Sequence, residues 1–318
     1  MTASSKNLSK TLKESGPAPK LKPLLEETLK RCNGERRREN DPVGMAWAFT
    51  HDEDREVVSL FASSLAYGRV DLLRRAIDQV LQPMGDRPAE FLRQVEPSVL
   101  GGLWDGFVYR MTRGPDITDL ATAIQKTLRI EGSLENLYLK TPDKSRPCRL
   151  DRDSPLISSR AEHLARASEF VMTLRDRRRR PEVVRGFRYL LPDPADGSAC
   201  KRLHLFFRWM ARGPDLVDFG IWKNLPPAML VMPLDTHTAR LCRYLGLLER
   251  KSIDNKAAIE VSRRLQQFDP RDPLKYDFAL CHLGISGRCI HRRSPEHCPN
   301  CPIEAACILP QHPVGDPR

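Results

Sequence analysis

Long hydrophobic runs are absent from this sequence. No stretch approaches the roughly 20 consecutive apolar residues that a membrane-spanning helix requires. The opening residues Met1-Thr-Ala-Ser-Ser-Lys lack the apolar core of a signal peptide, and residues 1–20 have no apolar period, which is typical of a mobile tail. We therefore expect a soluble, cytoplasmic protein that does not use a membrane as a partner.

Alternating apolar residues, which indicate a half-buried strand, are also missing from the segments with the clearest pattern. From Asp54 the apolar residues recur at helical spacing up to Gly68, and the same period continues towards Pro83. The predicted helices are 54–68, 72–81, 88–95, Ser158 or Ser159 to Arg175, 203–210, 235–245, 254–267 and 273–283. Because 40% of the 318 residues are hydrophobic, the chain can bury a core, and the predicted fold class is all-α.

Acidic residues are fewer than basic ones. The 41 Asp and Glu residues against 52 Lys and Arg give a formal charge of +11 and a pI near 9.4. A basic surface favours a polyanionic partner, with nucleic acid as the first candidate, although such a surplus also serves solubility. The run Arg177–Arg180 could grip phosphates, but a solvated helix end is the favoured interpretation.

Cysteines are unevenly distributed along the chain. Four of the nine crowd between residues 289 and 307, and such crowding in a reducing compartment indicates a metal site. These four form the pattern C-x8-C-x2-C-x5-C and are Cys289, Cys298, Cys301 and Cys307. Four thiolates suit either zinc or an iron–sulfur cluster, so the spacing leaves the metal open.

The surroundings of these cysteines resemble a known loop. Leu283-Gly-Ile-Ser-Gly-Arg288-Cys289, with Pro295, Pro302 and Glu304 further on, is similar to the iron–sulfur loop of the endonuclease III and adenine glycosylase group. That group belongs to the helix-hairpin-helix DNA glycosylases. The resemblance implies a 4Fe-4S cluster on the four cysteines, although the first interval is two residues longer than the C-x6-C of the family. It spans about Asp54 to Cys307 and is nearest to a bacterial branch of the superfamily with an altered hairpin.

A second match lies upstream, at Pro233-Leu-Asp235-Thr-His237-Thr-Ala-Arg240. It looks like the V-D-T-H-x-x-R of the family, whose aspartate is essential for catalysis. The resemblance therefore makes Asp235 the first candidate catalytic residue. Without the motif, Asp235 is most simply a helix N-cap, and the two roles are compatible.

A third match covers Glu56 to Gly68 together with Arg69. It is similar to the helix and loop by which the family enters the DNA minor groove. Tyr67 and Arg69 are therefore candidate wedge or gap-filling residues that contact DNA, with core packing as the alternative for Tyr67.

One departure concerns the hairpin that precedes the aspartate. The L-P-G-x-G of the family holds a DNA phosphate through backbone amides, and in lyase members a lysine follows it. Here the chain reads Trp222-Lys-Asn-Leu-Pro-Pro-Ala-Met229 at that place.

Lys201 is the candidate Schiff-base nucleophile instead, because its placement resembles that in an archaeal oxidised-guanine glycosylase. A phosphate contact or a solvated side chain is the alternative for Lys201, and Arg202 and His204 are adjacent candidates.

Basic side chains near these motifs are expected to contact DNA. Arg202, His237 and Arg240 belong to this set, although a hydrogen-bonded structural role is more usual for a histidine such as His237. Arg288, Arg292 and Arg293 join it, because a metal would fix their loop with basic side chains facing the phosphate backbone.

The resemblance implies two helical lobes with the active site in the cleft between them. The N-terminal segment 21–55 is expected to pack with the C-terminal lobe 233–318, which carries Asp235 and the cysteine loop 289–307. Residues 56–232 are expected to form a barrel-like lobe, with an insertion at about 138–198 whose first part, Lys140 to Asp153, is a polar linker.

The expected function is that of a base-excision DNA repair enzyme. It would flip a damaged, mismatched or modified base out of double-stranded DNA and hydrolyse the N-glycosidic bond, with AP-lyase activity if Lys201 is a nucleophile. A monomer without a small-molecule substrate is expected. Two alternatives stay open: a non-catalytic iron–sulfur protein that senses DNA on the same fold, and a zinc-stabilised RNA-binding protein, which leaves the Asp235 motif unexplained.

Overall fold

The computed structural model describes residues 20–32, 34–140, 155–285 and 289–309. Helix accounts for 62% of the described residues and strand for 2%, which confirms the all-α prediction. None of the helices in the described ranges is long and apolar enough to cross a membrane. The predicted tail at 1–20 and the predicted linker from Lys140 to Asp153 lie, but for their end residues Lys20 and Lys140, outside the described residues.

The chain forms two compact units. Residues 35–230 make the central unit, and residues 1–34 with 231–318 make the terminal unit. The sequence predicts that all of 21–55 packs with the C-terminal lobe, whereas in the structure residues 35–55 belong to the central unit. The reason is apolar burial: Val43, Met45 and Ala46 are buried, and their short helix packs against the helix that begins at Asp52.

Helices make up most of the described part of the central unit. Its helices are α2 (Gly34–Arg38, starting at the boundary residue), α3 (Val43–Trp47), α4 (Asp52–Ser64), α5 (Val70–Leu81), α6 (Pro88–Gln94), α7 (Pro97–Leu100), α8 (Gly114–Glu131), α9 (Leu134–Leu139), α10 (Pro155–Asp176), α11 (Arg185–Leu190) and α12 (Lys201–Ala211). The strands β1 (Val108–Tyr109) and β2 (Thr112–Arg113) pair as an antiparallel hairpin. The sequence did not predict this hairpin.

Helix α4 lies at the centre of this unit. Every residue from Glu56 to Ala66 is buried, as expected for a helix with neighbours on all sides. The Glu56 carboxylate accepts hydrogen bonds from the backbone N–H groups of Leu134 and Glu135, both at 2.9 Å, and from the Trp222 indole at 2.7 Å. Burial nevertheless raises the pKa of Glu56 to about 7.

The described part of the segment 138–198, which the sequence predicts to be an insertion, contributes to the core. Helix α10 packs against α8 and α9, and α11 packs against α8. Phe170 of α10 lies 5.7 Å from the ring of Phe207 and 6.4 Å from that of Trp222. The described part of this segment is therefore integral to the central unit.

The arginine run after α10 is held internally. Arg180 pairs with Asp119 at 2.7 Å and with Asp116 at 2.6 Å, and Arg177 pairs with Glu131 at 2.6 Å. All three carboxylates belong to α8 and are largely buried. These arginines fix the end of α10 against α8, which differs from both a phosphate grip and a simply solvated helix end.

The terminal unit contains α1 (Leu21–Arg31), α13 (Thr236–Tyr244), α14 (Asn255–Gln266) and α15 (Asp277–Ile285). A 3-10 turn at Pro273–Tyr276 precedes α15, so the predicted single helix 273–283 begins with tighter geometry, as helix N-termini often do. Glu26 of α1 accepts a hydrogen bond from the Tyr276 hydroxyl at 2.6 Å and pairs with Lys275 at 2.9 Å. These contacts join the two ends of the chain within this unit.

Two histidines are enclosed in the central unit. His163 and His204 are 0% and 1% exposed, and the Tyr138 hydroxyl lies 2.9 Å from Nδ1 of His163. Among the described residues, neither ring nitrogen of His204 has a hydrogen-bond partner. Burial lowers the pKa of His204 to about 3 and also lowers the pKa of His163 well below its usual value.

We predict that these histidines make the protein less stable in mild acid. Because both folded-state pKa values are lowered, the unfolded chain binds more protons, so stability is lost as the pH falls through the unfolded value near 6.5. Between pH 7.5 and pH 5.5 the loss should be roughly 1 kcal/mol per histidine. Urea unfolding of wild type and His204→Leu at both pH values measures it.

The variant His204→Leu isolates the contribution of this histidine to the pH dependence of stability. Glu56 acts in the opposite direction, since its raised pKa favours the folded state at low pH, but it is present in both proteins. Phe207→Leu, a truncation next to His163, should lower stability equally at both pH values. An unchanged pH dependence in His204→Leu would contradict the prediction.

Candidate functional site

Asp235 caps helix α13. Its backbone is extended, with φ −116 and ψ −176, and its Oδ1 accepts a hydrogen bond from the Thr238 N–H at 2.8 Å. The capping interpretation is therefore confirmed. The side chain of Asp235 is half-buried, while Thr236 and His237 after it are exposed. The carboxylate is thus oriented by the helix that it starts.

Two basic residues follow on α13. His237 and Arg240 are both exposed, and their charges act together with burial to lower the pKa of His291. The first turns of α13 and the start of the cysteine loop therefore bring three basic side chains close together. Exposure of His237 leaves it available for a ligand.

The four cysteines converge on one pocket. Each is half-buried, and the pocket is also lined by Leu241 and Tyr244 of α13. Burial raises the pKa of Cys301, and the nearby thiols of Cys289, Cys307 and Cys298 raise it further. The structure thus gathers all four predicted ligands beside the helix that Asp235 caps.

The cysteine loop is fixed to α13 by its backbone. The N–H of Ile308 donates to the carbonyl of Tyr244, the last residue of α13, at 2.8 Å. The N–H of Ser294 donates to Sγ of Cys298 at 3.3 Å, and such bonds to sulfur are found around iron–sulfur clusters. The end of α13 is therefore attached to the loop.

The donor set fits a metal centre chemically. Four thiolates with a backbone donor to one sulfur match a tetrathiolate site for zinc or a 4Fe-4S cluster. Within the described residues, no three His, Cys, Asp or Glu side chains stand at the spacing that ligation of one ion requires. Cys289, Cys298, Cys301 and Cys307 are the side chains that would hold such a group.

The arginines near the loop differ in their surroundings. Arg293 donates to Oε1 of Glu304 at 2.7 Å and to the carbonyl of Cys307 at 2.6 Å, so it braces the loop from within. Arg292 is exposed beside the pocket. Arg288 lies outside the described residues. Arg292 is thus better placed than Arg293 for a phosphate.

Lys201 and its neighbours open helix α12 in the central unit. Lys201 is its half-buried first residue, and the Cys200 cap has φ 43, in the left-handed region. Arg202 donates to the carbonyls of Ser64 (2.5 Å) and Tyr189. These bonds favour a structural role for Arg202, and the burial of His204 likewise places its ring in the core rather than at a surface.

The loop after α4 has one inward and one outward residue. The Tyr67 hydroxyl lies 2.7 Å from Oγ1 of Thr112, and the Tyr67 ring stands edge-on to Tyr189 at 5.1 Å. These contacts fit the alternative role of Tyr67, which is packing within the unit. Arg69 is exposed and pairs with Asp71 at 3.0 Å.

The segment before Asp235 has no helical hairpin. Residues 212–235, all of them described, contain one 3-10 turn at Pro227–Met229 and no α-helix. Buried Arg160 donates to the carbonyls of Ala228 at 2.9 Å and Leu230 at 3.1 Å. Arg160 thus holds residues 228–230 from within the unit. In the glycosylase family that this sequence resembles, the phosphate-binding glycines lie in the corresponding stretch.

A family comparison covers most of these features. A model of the family described as "Protein of unknown function (DUF2400)" matches residues 41–286. This chain belongs to the DUF2400 family. No curated protein and no solved structure matches it. The segment shared with the DUF2400 family includes Lys201 and Asp235 and ends before Cys289, so the cysteine loop follows it.

We predict that Asp235 contributes to stability as a cap. Asp235→Ala should lower the free energy of unfolding by about 1 kcal/mol, because the Thr238 N–H loses its acceptor, whereas Asp235→Asn keeps an acceptor and should change it little. Asp254 caps α14 by the same kind of bond, to the Ala257 N–H at 2.8 Å, and also pairs with Arg250 at 2.9 Å, so Asp254→Ala is a positive control that should lower the free energy of unfolding at least as much. Equal urea midpoints for Asp235→Ala and wild type would contradict the assignment.

Proposed function

We propose that this DUF2400 member is a base-excision DNA glycosylase with a two-lobed helical glycosylase fold and a 4Fe-4S loop. The observation that carries the proposal is the arrangement around α13. One end of this helix is capped by Asp235, in a motif that resembles the catalytic V-D-T-H of the glycosylases, and the other end contacts the pocket of four cysteines. The exposed basic residues His237, Arg240 and Arg292 in the same unit suit a DNA partner.

The chemistry assigned to Asp235 is electrostatic. When the bond between C1′ and the base nitrogen breaks, the base leaves with the electron pair and takes up a proton, while positive charge develops on the sugar. A carboxylate held beside C1′ stabilises that charge and orients a water molecule, whose oxygen bonds to C1′ as it releases a proton. Asp235 supplies such a carboxylate, already oriented by its bond to Thr238.

Lys201 adds a second route. Its amine, once deprotonated, would attack C1′ in place of water and form a Schiff base after the sugar ring opens, which leads to strand cleavage. Its place at the start of α12, half-buried beside Cys200, supports a residue held in position rather than a free surface lysine. Lyase activity is therefore part of the proposal.

The cluster would hold the loop in position rather than take part in the reaction. Cys289, Cys298, Cys301 and Cys307 would hold it, and when bound it supplies fixed crosslinks within the loop. The loop in turn fixes the end of α13 through Ile308 and carries Arg292 at the surface. Zinc on the same thiolates is the alternative, and it would fix the loop equally well.

We predict that the purified protein is brown and contains about four iron atoms per chain, with broad absorption near 400 nm, as expected of a 4Fe-4S centre. Metal analysis and the absorption spectrum measure this. Cys298→Ser should lose the absorption, whereas Cys32→Ser, a change at a half-buried cysteine outside the loop, should keep it. A colourless protein with one zinc per chain would favour the alternative metal.

We predict that the protein removes one modified base from duplex DNA. A panel of duplexes, each with one oxidised, alkylated, mismatched or hypermodified base, is incubated with the protein and treated with alkali to break abasic sites. Asp235→Asn should lose at least about a hundredfold in rate, since a fixed charge near the transition state is removed, while DNA affinity is retained. Asp254→Asn, the same change at a neighbouring cap, should keep the rate.

Lys201 is tested in the same assay without alkali. Strand breaks before alkali that disappear in Lys201→Gln would support the lyase route, and borohydride should trap the Schiff base in wild type alone. If every duplex binds and none is cut, the chain is a non-catalytic DNA-sensing protein. If single-stranded RNA binds in preference to duplex DNA, the proposal fails.

A further inference from the structure

The hairpin β1–β2 projects a two-residue tip. Val108 pairs with Arg113 and Tyr109 with Thr112, so Arg110 and Met111 form the turn. Arg110 has φ 51, in the left-handed region that residues other than glycine seldom adopt. Strained turn residues of this kind are often found at functional sites, where the surrounding structure holds them in place.

The inward side of the hairpin is anchored to the loop after α4. Thr112 is 0% exposed and its hydroxyl meets that of Tyr67 at 2.7 Å, while the Tyr109 hydroxyl donates to the carbonyl of Tyr67. The guanidinium of Arg110 lies directly over Gly68, where an added Cβ would come within 2.7 Å of Nε. The hairpin and this loop are therefore one anchored surface.

The outward side combines apolar and basic residues. Met111 is 50% exposed and Val108 62% exposed. Arg110, Arg113 and Arg69 are exposed residues as well, and the Arg113 guanidinium donates to the carbonyl of Arg110 at 2.5 Å. Three acidic residues are nearby: Asp71, which pairs with Arg69, Asp105 in the preceding loop, and the buried Asp116, which accepts from the Arg113 N–H at 2.9 Å and pairs with Arg180 at 2.6 Å. The hairpin itself carries two arginines and no acid, so its tip complements a polyanion.

We propose that Met111 is the wedge that enters the base stack of duplex DNA, with Arg110 and Arg113 on the flanking phosphates. The inference rests on the proposed action on DNA and names the residue that opens the duplex. Tyr67, the wedge candidate from the sequence, holds the hairpin from behind, because its hydroxyl and ring are engaged within the unit.

The chemistry of the tip suits this task. Proteins that kink DNA insert apolar side chains, methionine among them, between base steps and pay a few kcal/mol to unstack them. Arginines beside the wedge offset that cost through phosphate contacts. The turn places Met111, which is 50% exposed, at the tip of the hairpin.

The test measures duplex opening without needing base removal. The probe is a duplex with a tetrahydrofuran abasic analogue beside 2-aminopurine, whose fluorescence rises on unstacking. Wild type should raise the signal, and Met111→Ala should reduce the rise at least about fivefold while affinity changes less, because the wedge is lost but the phosphate contacts stay. Ile130→Ala, which truncates an apolar side chain 64% exposed at the end of α8, is the matched control and should behave as wild type.

Arg110→Gly provides a second variant that should fold well, since glycine adopts the left-handed conformation readily. Its affinity should fall several-fold and the slope of log affinity against log salt should drop by about one, as expected for one lost phosphate contact. If wild type opens the duplex and Met111→Ala does so equally, the wedge assignment is wrong while the proposed function stands. If wild type neither binds nor opens the duplex, both fail.

Discussion

The enclosure of α4 is the constraint on which the central unit depends. A helix that is buried on all sides must satisfy its polar side chains internally, because an unpaired buried group costs several kcal/mol. Glu56 meets this requirement through two backbone amides of α9 and the Trp222 indole, and Asp54 through Arg87 at 3.0 Å and the Ala89 N–H at 2.9 Å. Two carboxylates thus attach α6, α9 and the connection after α12 to one helix. The loop that follows α4 is attached to this enclosed helix, and its residue Tyr67 contacts Thr112 of the hairpin at 2.7 Å.

Many of the helices could be predicted from the sequence, because there the spacing of the apolar residues agrees with the positions of the capping and terminating residues. Helices α4, α5, α13 and α14 lie within a few residues of their predicted bounds, since each combines a buried face with a capping or terminating residue. Asp235 could be recognised as a cap for the same reason. The convergence of the four cysteines followed from their close spacing, which limits how far apart a short loop can hold them.

Other features depend on partners that a sequence does not display. Arg180, Arg202 and Arg293 look alike as exposed cations, yet each donates to a carboxylate or carbonyl within its unit. Such choices follow from tertiary neighbours and not from local pattern. The hairpin was missed because strands of two residues are too short for the alternation that marks a strand. Its exposed Met111 stands out only once the inward contacts of Tyr109 and Thr112 are known.

The arrangement of α13 links the cysteine loop to the proposed chemistry. A helix of nine residues is about 13 Å long and moves as one body, so what fixes one end also positions the other. At its start, Asp235 has one oxygen bonded to the Thr238 amide, and at its end the Tyr244 carbonyl accepts from Ile308. Electrostatic stabilisation of a developing charge requires a carboxylate whose place is set before the reaction begins. In the proposed enzyme, a metal on the four cysteines would therefore act at a distance, by holding the helix that begins after Asp235.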